Sequence, residues 1–325
     1  MEKEKNKSSG TGRRSFAFHA GKDPLVRAAT LTNYGGSSKT RINHLQEAKS
    51  FVKTLRELGY NVKKWSNVTN KHVGEVVREW QRQGLSTATL KENMAGVRAT
   101  ASRNGNEKIY KDNAHYNIEN REYISNKNKE MDKMTYNKAI EKLKAGDERQ
   151  QRLAAQIQVA KTLGLRHEEA RKFRPSRDVL ADGRVHIHAG TKGGRERMLN
   201  DISQEARQAI EYARSIVGKE SMIPRQMKDK QWESYGYREL KKAIGTTKMH
   251  GLRHAYAQQR YQDLTGYKPR VQCSSLEEFK RQAKEKAGDN WQELDKQARG
   301  VLKAEMGHGP DRDNVISQYI GSNSK

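Results

Sequence analysis

The sequence predicts a mainly α fold with one small β-hairpin, and three observations lead there. Apolar residues recur at spacings of three and four through most of the chain. One stretch, 184–199, changes to a period of two around a glycine-rich turn. A polar segment at 106–133, rich in Asn, Lys and Glu, divides the helical pattern into two regions. Two domains are also what a length of 325 residues suggests.

In chain order, residues 1–38 read as a basic flexible tail or arm. Lys3, Lys5, Lys7, Arg13 and Arg14 surround a Ser-Ser-Gly-Thr-Gly stretch at 8–12, and Gly35-Gly36-Ser37-Ser38 ends the segment without a sustained apolar period. Residues 39–105 read as a small helical domain. Ile42, Leu45, Ala48, Val52 and Leu55 define one helix, stopped at Gly59. Val68-Thr69 opens a second, with Val73, Val76, Val77 and Trp80 inward and Gly84 after it. Ser86 caps a third, with Leu90, Met94, Val97 and Ala101 inward and Gly105 after it. The segment 106–133 is then a linker.

The second domain is expected over 134–325. Ala139 and Leu143, then Leu153, Ile157 and Ala160, mark helices. Val185 to Ala189 alternates, Gly190 to Gly194 turns, and Arg195 to Leu199 returns, which predicts the hairpin. Helical spacing resumes with Ile202, Ala206, Ile210, Ala213 and Ile216. Further on, Asp289 is placed to cap a helix with Trp291, Leu294, Ala298 and Val301 on one side. A short last helix carries Val315 and Ile320 inward.

Composition narrows the function. There are 64 Lys and Arg against 39 Asp and Glu, a formal charge of +25, which points to a polyanionic partner. The charge is spread along the chain rather than gathered on one amphipathic helix, which weighs against a membrane surface. No apolar run of transmembrane length and no apolar signal core occurs. A lone cysteine, Cys273, excludes an intramolecular disulfide framework and a cysteine-based zinc cluster. A reduced, cytoplasmic setting is expected.

Four separated elements hold the residues with chemistry. Arg166 and Glu169 share a face at the start of a helix, so the carboxylate can orient the guanidinium; alone, such a pair is ordinary helix surface. Lys192 sits on the glycine-rich hairpin tip, where a solvated turn lysine is equally unremarkable. His250 and Arg253, three apart, put two cationic groups on one face, an arrangement suited to an anion, whether clamped or attacked. His308 follows Gly307, and Tyr319 lies eleven residues later on the last helix.

The combination and its order resemble the tyrosine recombinase family of phage integrase type, over about 40–325. The resemblance implies a helical SAM-like core-binding domain at 39–105 and an α+β catalytic domain at 134–325. It implies that Arg166, Lys192, His250, Arg253 and His308 form the active site, with Tyr319 as the nucleophile and Glu169 in support. Two departures stand out. The spacing from His308 to Tyr319 is longer than usual, and 264–300 reads as an insertion. The activity implied is site-specific DNA breaking and rejoining through a 3′-phosphotyrosyl link, without metal or ATP and with no cofactor. The partners implied are double-stranded DNA carrying a recombination site, a homotetramer on it, and room for accessory DNA-bending or directionality proteins. A phage or other mobile genetic element in a prokaryote, acting at the nucleoid, is the implied setting. Two other readings stay open at this point: a catalytically silent DNA-binding regulator, and a type IB topoisomerase-like relaxing enzyme.

Overall fold

Asp23 precedes Pro24, and together they start a helix that the apolar pattern does not announce. The computed structural model describes residues 20–121, 123–124, 126–309 and 313–323. Within them the chain forms two units, divided between 122 and 123.

In the first unit, α1 (Pro24–Leu31) is capped by the Asp23 carboxylate, which accepts from the Leu25 amide at 2.8 Å. The same carboxylate takes Arg56 Nε at 2.6 Å. Leu25, Val26 and Ala29 are buried in the domain core. The stretch 20–38 is therefore not tail. Eight residues with three inward apolar positions are too few for a periodic signal. The expected tail at 1–19 lies outside the described residues.

Helices α2 (Ser38–Glu57), α3 (Asn70–Arg82) and α4 (Thr87–Arg103) follow the spacing and caps read from the sequence. Thr69 and Ser86 each accept from the amide three residues on. Ile42 differs from expectation: it is 59% exposed, because the first turns of α2 extend past the core. Phe51, Trp65 and Trp80 form the centre of that core. The expected linker begins too early at 106. Ile109, Tyr116 and Ile118 complete this core, and the buried Asn106 amide donates to the Trp65 and Val68 carbonyls at 2.8 Å each. Asn in such brackets reads as loop composition, which hid the segment's role.

The second unit has two cores. The first is built by α5 (Lys133–Lys144), α6 (Glu148–Thr162), α7 (His167–Lys172), α8 (Pro175–Asp178), β1 (Val185–Ile187), β2 (Arg197–Leu199), α9 (Gln204–Val217) and α10 (Asp229–Ile244). Strands β1 and β2 pair antiparallel, with Val185 opposite Leu199 and Ile187 opposite Arg197. Inward side chains on this hairpin are Val185, Ile187, Leu199 and, unexpectedly, Arg197.

The second core joins α11 (His250–Thr265), α12 (Leu276–Ala287), α13 (Trp291–Glu305) and α14 (Asp313–Ile320). Tyr261, Tyr267, Phe279 and Trp291 pack edge to face through its centre. The segment 264–300, expected as an insertion, thus joins α11 in the core beneath α14, through Arg270–Gln272 and the first part of α13. Two details differ from the sequence reading. Asn290, not Asp289, precedes α13, and Val301 is 38% exposed while Leu302 is buried. The apolar stripe drifts by one residue along that helix, as a 3.6-residue period does. Among the described residues, no helix is long and apolar enough to cross a membrane.

Candidate active site

Arg166 occupies the position before the first residue of α7, and its neighbour Gly164 ends the preceding turn. Its amide donates to Glu169 Oε2 and its Nη1 to Glu169 Oε1, both at 2.7 Å. Its Nη2 donates to the Gly307 carbonyl at 3.1 Å. The pairing expected for Arg166 and Glu169 is present and fixes the guanidinium in two directions.

Arg253 is 1% exposed on α11. Its Nη1 donates to the Gly164 carbonyl and its Nη2 to the Met306 carbonyl. Nη2 also lies 3.3 Å from His308 Nε2, and Nε donates to Tyr319 Oη at 3.4 Å. His250 Nε2 is likewise 3.4 Å from Tyr319 Oη. These two contacts are at the long edge of hydrogen bonding. Their chemistry is complementary: a guanidinium can only donate, so the phenol accepts from Arg253, and it can donate its own proton to His250 when that ring carries its hydrogen on Nδ1.

Three arginines meet one carboxylate. Arg197 on β2 grips Glu169 with two hydrogen bonds, at 3.0 and 2.8 Å, and Arg253 Nη1 stands 4.0 Å from the same group. Arg197 Nε also donates to the Glu305 carbonyl at 2.6 Å. The carbonyls of Glu305, Met306 and Gly307 at the end of α13 thus each accept a different guanidinium: Arg197, Arg253 and Arg166. The last carbonyls of a helix have no partner within it, and its C-terminal end attracts cations. Those carbonyls here gather the positive charge of the site.

Titration follows from this crowding. Burial alone would raise the Glu169 carboxyl, but the Arg197 hydrogen bond and the Arg197 and Arg166 charges bring it down to about 2. Burial, then Arg253, Arg166 and Arg197, pull His308 down to about 3. Partial desolvation, then Arg253 and Arg166, lower His250. Burial lowers Arg253 to about 10, which leaves it cationic at neutral pH. The site at pH 7 therefore combines charged guanidiniums with neutral imidazoles. Because Arg253 donates to His308 Nε2, the proton of that ring rests on Nδ1.

Glu169 gives a signed pH dependence. Its folded value lies below the ordinary 4.5, so its contribution is present above 4.5 and is lost as pH falls toward 2. Urea unfolding at pH 5 and pH 3 should show wild type losing about 2 kcal/mol relative to Glu169→Gln. Parallel pH profiles for the two proteins would contradict it.

Gly307 meets two constraints at once. Its φ is +61°, and a Cβ there would sit 3.1 Å from Arg197 Nη1 and 3.4 Å from Arg166 Nη1. Gly307→Ala should cost about 1–2 kcal/mol in stability through the left-handed backbone. By displacing both arginines, it should slow the strand cleavage that the family resemblance implies about tenfold or more. Urea melts and single-turnover cleavage would separate the two effects.

The sequence-derived residues Arg166, Glu169, His250, Arg253, His308 and Tyr319 come together. Lys192 does not join them: it is exposed on the hairpin tip, and no hydrogen bond or ion pair links it to the cluster. Sequence reasoning missed Arg197 and His254. Arg197 occupies an inward register position where alternation calls for an apolar residue, and that break was a signal of a buried counterion. His254 lies one turn after His250, and its ring packs 4.6 Å from that of Tyr319. Among the described residues, no group of three His, Cys, Asp or Glu could hold a metal ion.

Comparison with known proteins adds independent findings. Residues 24–110 match a family model described as phage integrase, N-terminal. Residues 120–259 match one described as integrase. No curated protein matches the chain in sequence. Among solved structures, a lambda integrase tetramer bound to a Holliday junction is similar, with a TM-score of 0.58 at 14% identity over 93% of this chain and 77% of that one. A lambda integrase dimer bound to a COC′ core site gives 0.55 at 16% identity, over 89% of this chain and 73% of that one. The Tn1549 transposon integrase with transposon right end DNA gives 0.53 at 11% identity, over 91% and 94%. At these identities the structural likeness speaks to fold.

Proposed function

Because this chain belongs to the tyrosine recombinases of phage integrase type, we propose that it cuts and rejoins DNA at a specific site, with Tyr319 as the nucleophile. One observation carries the assignment of residues. Tyr319 Oη lies 3.4 Å from both Arg253 Nε and His250 Nε2, within a single protomer.

The chemistry follows from that placement. Tyr319 Oη forms a bond to the scissile phosphorus as the bond from phosphorus to the 5′-oxygen breaks. The phenol proton passes to neutral His250 Nε2. Arg166, Arg253 and His308 Nδ1 donate to the non-bridging oxygens, where charge gathers in the transition state. Lys192 gives a proton to the departing 5′-oxygen. The glycines flanking it, Gly190, Gly193 and Gly194, all have positive φ, a tight-turn backbone that presents the lysine at the exposed tip. A second 5′-hydroxyl then reverses the step. One ester is exchanged for another, so the phosphotyrosine keeps the bond energy and neither ATP nor a metal is called for.

The lambda structures contain a dimer and a tetramer on DNA. We extend that to this chain as a tetramer acting on two duplexes, in a prokaryotic cytoplasm, on behalf of a mobile element. The test is incubation of the full chain with a pool of nicked duplexes of randomised sequence, resolved on denaturing gels. A covalent adduct whose tryptic peptide carries the nucleotide on Tyr319 is expected. Complete absence of adduct across the pool would refute the enzyme reading and leave a DNA-binding regulator. Relaxation of supercoiled plasmid without exchange between sites would favour the topoisomerase.

A further inference from the structure

Helix α13 touches the site at two places, and only one has been described. Its last carbonyls hold three guanidiniums. About two to three turns earlier, Asp295 and Arg299 hold the helix that bears the nucleophile. Asp295 is 1% exposed and accepts from Tyr261 Oη at 2.6 Å, Arg299 Nε at 2.8 Å and Asn323 Nδ2 at 2.6 Å. The carboxylate thereby fixes the Arg299 guanidinium. Arg299 Nη1 donates to Ser317 Oγ at 3.2 Å and Nη2 to the Gly321 carbonyl at 3.1 Å. Ser317 and Gly321 lie two residues before and two after Tyr319. The guanidinium therefore straddles the nucleophile along the chain, and it meets the C-terminal end of α14, where a cation is favoured.

We propose that Asp295 and Arg299 are positioning residues that dock the Tyr319 helix against the arginine pocket of its own protomer. Here one stiff helix serves both partners of the reaction. The donors that will hold the phosphate and the helix that will attack it are referenced to the same fifteen-residue rod. A rod of that kind fixes their separation to within the tolerance that in-line attack demands. Neither residue touches Tyr319 Oη, the imidazoles or Arg253, so their action is indirect.

The inference rests on the recombinase reading, and its test separates the two. Three proteins are compared as full chains: wild type, Arg299→Ala and Arg299→Lys. Adduct formation is followed in single turnover on the nicked duplex selected from the randomised pool, together with duplex affinity. Arg299→Ala should slow adduct formation about 10²-fold while duplex affinity stays within about twofold, because the defect is geometric. Arg299→Lys should be intermediate, since an ammonium reaches one of the two acceptors but cannot fork to both. Hydrogen exchange, measured without DNA, should show faster exchange over 313–323 in Arg299→Ala and unchanged protection over 133–162.

Wild-type cleavage speed in Arg299→Ala would overturn the proposal. So would a slow variant in which protection is lost equally over both segments, since that marks a general structural role. If Arg299→Ala fails to fold, Ser317→Ala removes one of the two acceptors, and an unchanged cleavage rate with unchanged exchange over 313–323 would overturn it instead. If wild type itself forms no adduct, the recombinase reading fails. The exchange comparison then still decides whether the docking exists.

Discussion

Tyr319→Phe should give a folded protein that binds DNA and forms no covalent adduct. The ring of Tyr319 is buried among Ile316, Ile320 and the aromatic core beneath α14, and it packs 4.6 Å from His254. Phe keeps all of that. The hydroxyl it loses has two partners, Arg253 Nε and His250 Nε2, both at 3.4 Å. Contacts this long contribute little, so stability should change by less than about 1 kcal/mol. Cleavage is another matter, because the atom that attacks is gone. Loss of a nucleophile removes the covalent route entirely, and a fall of more than about 10⁴-fold is expected. The measurement is single-turnover adduct formation beside urea unfolding. An adduct at undiminished rate would mean another hydroxyl attacks. The alternatives nearby are poor: Tyr256 Oη is committed to Glu305 at 2.8 Å and Tyr261 Oη to Asp295 at 2.6 Å.

The second large effect is at Arg253. Arg253→Lys keeps the charge and most of the volume, so it isolates the planar fork. In wild type the guanidinium reaches Gly164, Met306, His308 and Tyr319 from three nitrogens. An ammonium donates from one point and cannot span the two carbonyls while also facing a phosphate. Each buried carbonyl left without a donor costs about 1–3 kcal/mol, so the variant should unfold at visibly lower urea. Removal of one preorganised donor from a developing oxyanion typically costs about 10²–10³ in rate. The same fall is expected in adduct formation, measured well below the unfolding midpoint. Wild-type cleavage in a destabilised Arg253→Lys would show that the group matters for folding alone.

The site could be read from the sequence chiefly through the order of its residues and the family resemblance that order carries, with broken local rules as a lesser signal. Cationic and imidazole groups at helix spacing, as at His250 and Arg253, have little use in plain packing. Gly307 next to His308 marks a backbone position that a side chain would obstruct. The caps at Thr69 and Ser86 and the alternation at Val185 to Ile187 were equally legible, since each is a local device. What escaped depends on partners far along the chain. Arg197 meets Glu169 across 28 positions, and Arg56 meets Asp23 across 33. Neither pairing leaves a periodic trace. The role of the helix that begins within 264–300 was invisible for the same reason: an amphipathic helix shows which side it buries, but not that its end, at 305–307, will gather three arginines.

Helical phase carries a last consequence. Arg299 and the carbonyl of Glu305 are separated by six residues of unbroken α13. Each residue advances an α-helix by about 100°, so one deletion between them would rotate the latch away from the nucleophile helix while the guanidiniums kept their hold. The loop from Gly266 to Ser275 has no such phase to keep. Length variation in relatives of this chain should therefore collect before Trp291 and leave the interval 299–307 at constant length.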